Sequence, residues 1–379
     1  MRFSGGMAVL LVILLAAAVG MGYYDFRVLR RTAGNLHLST DTKPRKALLI
    51  ALAVFITLCS LNLFSMSGVI LLHFLFFSML TDLIVLCLQW LCKNGLPKTL
   101  GMVHKAFLVP VMATSVLMGI GYWNMQNVSQ TAVTIETDKA IRSEGYRVAL
   151  IADLHFGVSI DEAELQAVCD ELSAQGVDVL CLVGDITDES TTKAQMQAVY
   201  KAFGSVKTTL GTYFSYGNHD RQRYSQHSKY TTDELVNAIE QNGITILCDS
   251  TVAAADDLVI AGREDLSMER TAPRKSVENL FADADPTDYW LVLDHQPQDY
   301  EENIRAGTDL LLSGHTHAGQ FWPVNWLLAI FGINDNDYGL VETDGFAGFV
   351  TAGIAGWKYP IKTSAPAEYV MIDILPAAN

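Results

Sequence analysis

Two hydrophobic rhythms divide this chain. Over residues 1–123 the apolar residues run in long stretches, and from residue 124 onward they come in short bursts separated by polar and glycine residues. Four of the long stretches, residues 6–24, 47–65, 68–91 and 105–123, approach the roughly 20 helical residues that cross a bilayer. Beyond them, residues 147–152 (RVALIA), 177–183 (VDVLCLV), 212–216 (TYFSY), 289–293 (YWLVL) and 310–312 predict β-strands. Residues 161–175, 193–203 and 232–241 predict helices between them, each opening near a Ser, Thr or Asp. Strands alternating with helices predict parallel β-α-β units, whose strand carboxyl ends converge on one sheet edge. Residues that follow those strands are therefore expected to meet.

Charge follows the same division. Residues 1–123 hold three acidic and ten basic residues, near +7, while the remainder holds 38 acidic and 16 basic, near −22. The first apolar stretch has features of a cleaved signal peptide in Arg2 and Ala16-Ala17-Ala18, but Arg27, Arg30 and Arg31 follow at once and resist translocation. These arginines with Lys43, Arg45 and Lys46, and then Lys93, Lys98 and Lys105, place the first and third loops in the cytoplasm. Four crossings then put both termini outside, as a multi-pass protein of the cell membrane. Asp82 and His73 lie in the third span, either as structural contacts between helices or as part of a pathway or lipid contact. Residues 124–144 read as a polar tether, and residues 145–379 as one catalytic domain. The six cysteines form no Cys-x-x-Cys and read as free thiols.

Five clusters follow the predicted strands: Asp153-Leu154-His155, Gly184-Asp185, Gly217-Asn218-His219-Asp220, His295 and Gly314-His315-Thr316-His317. Of the six histidines after Asn124, only His227 falls outside them. Carboxylate, imidazole and amide oxygen together suit Mn²⁺, Zn²⁺ or Fe better than an all-oxygen set would. Two such ions roughly 3.5–4 Å apart make a water more acidic and neutralise the oxygens of an in-line displacement, which is what a phosphoester requires.

The five clusters, in this order, resemble the pattern of the calcineurin-like metallophosphoesterase superfamily: Asp-x-His, Gly-Asp, Gly-Asn-His-Asp/Glu, His, then Gly-His-x-His. The resemblance implies a four-layer α/β/β/α sandwich behind the four-helix transmembrane anchor, and two divalent metals. It assigns Asp153, His155, Asp185 and His317 to the first metal, and Asn218, His295 and His315 to the second, with Asp185 bridging. It implies that His219 protonates the leaving oxygen or steadies the transition state, and that Asp220 orients it. The tail, with Ala318-Gly319-Gln320, Gly339-Leu340, Gly353-Ile354, Tyr359-Pro360 and Pro366-Ala367-Glu368-Tyr369, is similar to the membrane-associated bacterial branch. That branch includes cell-envelope phosphoesterases and enzymes similar to UDP-2,3-diacylglucosamine pyrophosphatase. Ala318 departs from its usual glycine.

The charge near −22 argues against nucleic acid, whose binding rests on Lys and Arg neutralising phosphates. Arg221, Arg223 and Arg263 are either contacts for a single phosphate headgroup or solvated surface arginines. Residues 321–331 (FWPVNWLLAIF) are too short to span a bilayer and too apolar for an ordinary surface loop. They form either a core segment or a patch that meets membrane or acyl chains, and their place directly after His317 favours the patch. The expected activity is hydrolysis of a lipid-linked or envelope phosphoester, such as a phospholipid, outside the membrane. An ectoenzyme for soluble nucleotides and a catalytically silent scaffold are the alternatives, and the intact ligand set counts against the scaffold.

Overall fold

The computed structural model describes residues 5–377 apart from 63–64, 93–94, 96, 270, 272 and 344, with residues 5–14 given by backbone alone. It divides into two units, Met1–Gly119 and Ile120–Asn379. In the first, the apolar stretches form α1 (Gly5–Asn35), α2 (Lys43–Leu61), α3 (Met66–Leu91), the short α4 (Lys98–Lys105) and most of α5 (Leu108–Gln126). Among the described residues, α2, α3 and α5 are long and apolar enough to cross a membrane. The first expected span falls within α1, and Arg2 and Lys93 lie outside the described residues. The last expected span starts later than residue 105, because Phe107 adopts a φ of 54° and separates α4 from α5.

Asp82 ties three of these helices together. It accepts from Tyr24 at 2.9 Å and pairs with Arg31 at 2.7 Å and with His104 at 2.6 Å. Of the two readings of Asp82, this satisfied cluster matches the structural one. His73 Nδ1 lies 2.8 Å from the Val69 carbonyl one turn back along α3.

The second unit runs β1 (Ser129–Thr137), β2 (Tyr146–Ile151), α6 (Glu162–Ala174), β3 (Val179–Val183), α7 (Lys193–Phe203), β4 (Gly211–Ser215), α8 (Thr232–Glu240) and β5 (Ile244–Ile246). It continues through β6 (Ser250–Ala255), β7 (Leu258–Gly262), α9 (Val277–Leu280), β8 (Tyr289–Leu293), α10 (Tyr300–Ala306) and β9 (Leu310–Ser313). The last elements are α11 (Val324–Phe331), β10 (Gly339–Thr343), β11 (Phe346–Val350) and β12 (Glu368–Pro376). Asp161, Thr192 and Thr231 each close a capping box with a Glu or Gln three residues on, which sets where α6, α7 and α8 begin.

One sheet has the order β1-β12-β2-β3-β4-β5 and the other β10-β11-β9-β8-β7-β6. Side chains alternate across each strand. Val148, Leu150, Val179 and Cys181 therefore meet Leu258, Ile260, Leu291 and Leu310 in a core between the sheets. Ala149, Ile151, Leu180 and Leu182 point the other way, beneath Leu165, Val199 and Leu235 of the three helices. On the far face, Val259, Val292 and Leu311 pack under Val277, Leu280 and Tyr300. These are the four expected layers. The strands that lead into the five clusters pair in parallel within each sheet, whereas β12 with β2, β6 with β7 and β10 with β11 are antiparallel.

The expected tether is a correction. Within residues 124–144, β1 pairs in parallel with β12 from Ser129 opposite Glu368 to Thr137 opposite Pro376. Only Val133 and Ile135 bring apolar side chains to its inner face, a sparse pattern that reads as polar linker. The backbone ladder and one buried face are enough for an edge strand. Ile135 is buried at 3% exposure, so Ile135→Ala is expected to cost about 2–5 kcal/mol in denaturant unfolding of the purified chain, with Thr134→Ala near neutral. Equal, negligible effects would restore the tether.

Candidate metal centre

Each predicted ligand stands where a strand has just ended: Asp153 and His155 after β2, Asp185 after β3, Asn218 after β4, His295 after β8, and His315 and His317 after β9. The chain turns sharply there. Asp153, His155, Asp185, His315 and His317 all take positive φ, between 42° and 70°, a conformation that non-glycine residues hold only where surrounding structure imposes it. Hydrogen bonds from Asp153 N to Gly184 O (3.1 Å) and from His155 N to Asp185 O (3.0 Å) supply that restraint. Gly217 and Gly314 are needed for close approach, because a Cβ on either would run into the carboxylate of Asp185 or Asp153. Ala318 also sits at positive φ (51°), a position that suits glycine.

The side chains gather in two groups that could each hold a metal ion: Asp153 with His155 and His317, and Asp185 with His295 and His315. In the first, the Nε2 atoms of His155 and His317 face each other at 3.2 Å, and His317 Nε2 is 3.5 Å from Asp153 Oδ1. In the second, His295 Nε2 is 3.1 Å from Asp185 Oδ2. The same Asp185 Oδ2 lies 3.8 Å from His155 Nε2, so one carboxylate oxygen reaches both groups. Asp185 Oδ1 accepts from His219 N at 2.8 Å, and Asp153 accepts from His315 N at 2.9 Å.

Three observations fit divalent cations. Asn218 Oδ1 is buried with no hydrogen-bond partner, an acceptor that needs a cation or donor. His295 Nδ1 lies 2.8 Å from the Val183 carbonyl, which can only accept, so its proton is held there and Nε2 is the ligating atom. Burial and then the neighbouring His295 bring His315 down to about 4, and burial with His155 holds His317 well below the imidazole range. Both rings are thus neutral, the form a metal binds. Burial acts to raise the Asp185 carboxyl, but the imidazoles of His295, His155 and His219 outweigh it and keep it ionised.

The role expected for Asp220 is a second correction. Its carboxylate is fully buried and accepts from Gly217 N at 2.7 Å, Asp185 N at 2.9 Å and Thr187 N at 3.1 Å, so it joins the β3 and β4 loops instead of facing His219. Burial and the charge of Asp185 push it up to about 6. His219 Nδ1 is instead 2.7 Å from Glu189 Oε2. Burial alone would lower this imidazole, and Glu189 reverses the shift to a net rise. Asp188, brought down to about 2 against burial by His155 and the Ser190 hydroxyl, lies 3.6 Å from His155 Nδ1. The acidic pair Asp188-Glu189 directly behind Gly184-Asp185 is the sequence signal that could have revealed both.

The arginine candidates also resolve. Arg263 is buried and pairs with Asp294, Asp299 and Glu302 at 3.2 Å, while Arg274 holds Asp294 at 3.1 Å and Asp299 at 2.6 Å. This network braces the strand end next to His295. Arg221 makes a two-pronged pair with Glu264 at 2.7 and 3.0 Å and lies over the Tyr216 ring, so its charge is spent within the fold. Arg223 is exposed and bonds Ser267. A residue not foreseen is Lys362, fully buried, whose Nζ donates to the carbonyls of Ala352, Gly353 (3.0 Å) and Ala355 (3.3 Å) and holds that loop against Asp153. Burial pushes its ammonium down to about 8.

Two Asp/His groups joined by a shared carboxylate, on converging strand ends of a four-layer sandwich, form a site whose two halves could each hold a metal ion. Residues 146–319 match the model of the calcineurin-like phosphoesterase family. The chain therefore carries a calcineurin-like metallophosphoesterase domain and is a hydrolase of phosphoester bonds. It is similar to the Danio rerio transmembrane protein with metallophosphoesterase domain, at 26% identity over 316 residues (76% of this chain, 69% of that protein). The Bos taurus protein of the same name is 26% identical over 279 residues (71% and 62%), and a Helicobacter pylori metallophosphoesterase 23% over 232 (61% and 60%). The membrane helices and these transmembrane relatives together make it a membrane-associated protein.

Asp185→Asn is expected to lower bound divalent metal, read by elemental analysis, and to abolish hydrolysis. Glu189→Gln should keep the metal and lose rate through His219, less for a nitrophenyl leaving group than for an alkoxide. Full turnover in the first, or equal losses on both leaving groups in the second, would remove the assigned roles.

Proposed function

We propose that the protein hydrolyses a phosphoester at two divalent metals, with Asp153, His155, Asp185 and His317 holding one and Asn218, His295 and His315, with Asp185 shared, holding the other. The observation that carries this is Asp185 Oδ2 lying 3.1 Å from His295 and 3.8 Å from His155, the arrangement of a bridging ligand. Bound there, the ions supply charge neutralisation and a more acidic water. Mn²⁺, Zn²⁺ and Fe all suit the donors. His219, with Nδ1 held by Glu189, carries its exchangeable proton on Nε2 and delivers it to the departing oxygen, a step worth about 10²–10⁴-fold in rate.

The substrate class is a lipid-linked or envelope phosphoester outside the cytoplasmic membrane. Support comes from the helices able to span a bilayer and from the exposed apolar α11, which begins seven residues after His317. The surplus of acidic residues in the domain disfavours nucleic acid. Assays of the purified chain with metals varied should show faster turnover of a lipid phosphoester in mixed micelles than of nucleotides; preference for nucleotides would move the protein to the soluble-substrate class.

Orientation follows from the basic residues at 27–46, which keep that loop cytoplasmic in a multi-pass, four-span arrangement. A reporter active only outside the cytoplasm is expected to work after Asn379 and to fail near Thr40. The opposite result would place the domain on cytosolic substrates.

A further inference from the structure

The helix α11 (VNWLLAIF) has no charged residue and no buried one. Trp326 is 57% exposed, Leu327 49%, Ile330 75% and Phe331 65%, and Ile333 beyond its end is 57% exposed. This answers the question left open by residues 321–331: the segment is not core. A water-facing stripe of this size is unfavourable unless something apolar covers it.

The second unit also shows where this helix is rooted. Trp322 N donates to Thr363 Oγ1 at 2.8 Å, Thr363 N donates to Gln320 O at 2.8 Å, and the Trp322 and Trp326 rings meet edge to face at 5.4 Å. The neighbouring residue, Lys362, donates its N–H to Gly121 O at 2.9 Å and accepts from Asn124 Nδ2 at 3.1 Å. Gly121 and Asn124 belong to the final turns of α5, a helix apolar and long enough to cross a membrane, and Tyr122 and Trp123 on those turns are 55% and 67% exposed. Tyr and Trp mark the level where a span meets water. The root of α11 and the end of a candidate span therefore rest on the same three residues, 361–363.

The connecting loop reaches the site. Gln320 Nε2 donates to the Trp357 and Ile361 carbonyls at 3.1 and 3.2 Å, and Trp357 N donates back to Gln320 Oε1 at 3.0 Å. The Trp357 ring lies 5.7 Å from the His219 ring, and Lys358 stands beside it as a cation.

We propose that α11 is a bilayer-docking helix: its Trp326, Leu327, Ile330 and Phe331 face enters the lipid interface beside the end of α5, and the Trp357–Tyr359 loop lies at phosphate level next to His219. A lipid occupant is favoured over a protein one because the patch lacks charge and lies within a few residues of a span's exit, where lipid surrounds it. The surface stands apart from which phosphoester is cleaved, and its test needs no turnover.

The full chain, reconstituted in phosphatidylglycerol–phosphatidylcholine nanodiscs, would carry the photocrosslinker p-benzoylphenylalanine at Trp326 or at Ile330. Phe55 on α2, 63% exposed, serves as the lipid-facing reference, and Glu301, 93% exposed, as the water-facing one. The proposal expects phospholipid adducts by mass spectrometry at 326, 330 and 55 and none at 301, with the melting transition unchanged because both α11 positions are exposed. Lipid adducts at 55 but neither at 326 nor at 330 would overturn it. Crosslinks from 330 to a second copy or to another protein would overturn it too, by giving the face a protein partner.

Discussion

The Asp185 carboxylate lies between imidazoles that come from opposite sheets, His155 after β2 and His295 after β8. Two sheets packed face to face have no backbone hydrogen bonds to each other, and their register rests on side-chain packing alone. At the strand ends this changes. Carboxylates and imidazoles buried at full depth need partners, and Asp185 finds His295, and Asp153 finds His315 N, across the gap. The strained backbone at five ligand positions, the close approach allowed by Gly217 and Gly314, and the pinning of loops by Asp220 all follow from bringing these groups to one place.

Around this centre the fold pairs several buried charges. Arg263 and Arg274 neutralise Asp294 and Asp299 at the base of His295, Lys362 gathers three carbonyls behind Asp153, and Glu189 holds His219. Ordered outer partners of this kind keep ligands in one tautomer and one direction, which a hydrolytic site requires before any substrate arrives. Arg221 and Arg263 are paired within the fold as well.

The membrane enters through composition and through one local joint. The run of residues from Gln320 to Thr363 connects a ligand loop, an exposed apolar helix and the final turns of α5 by hydrogen bonds.

Much of the outline was legible in the residues alone. Ligand chemistry needs particular side chains at strand ends, and both strand periodicity and span hydropathy are local properties, so the five clusters and the apolar helices could be read directly, while the four layers were implied by the family resemblance of those clusters. Tertiary structure decided what depends on direction and distant partners. Asp220 adjoins His219 in sequence while Glu189 lies 30 residues before it, and only the fold turns the first onto backbone amides and brings the second to the imidazole. Residues 129–137 looked like a linker because two inward apolar side chains are a faint signal, while the ladder to β12 lies 239 residues away. Arginine exposure and the solvent-facing side of residues 324–331 were likewise undetermined by composition, because burial is set by which surfaces the rest of the chain covers.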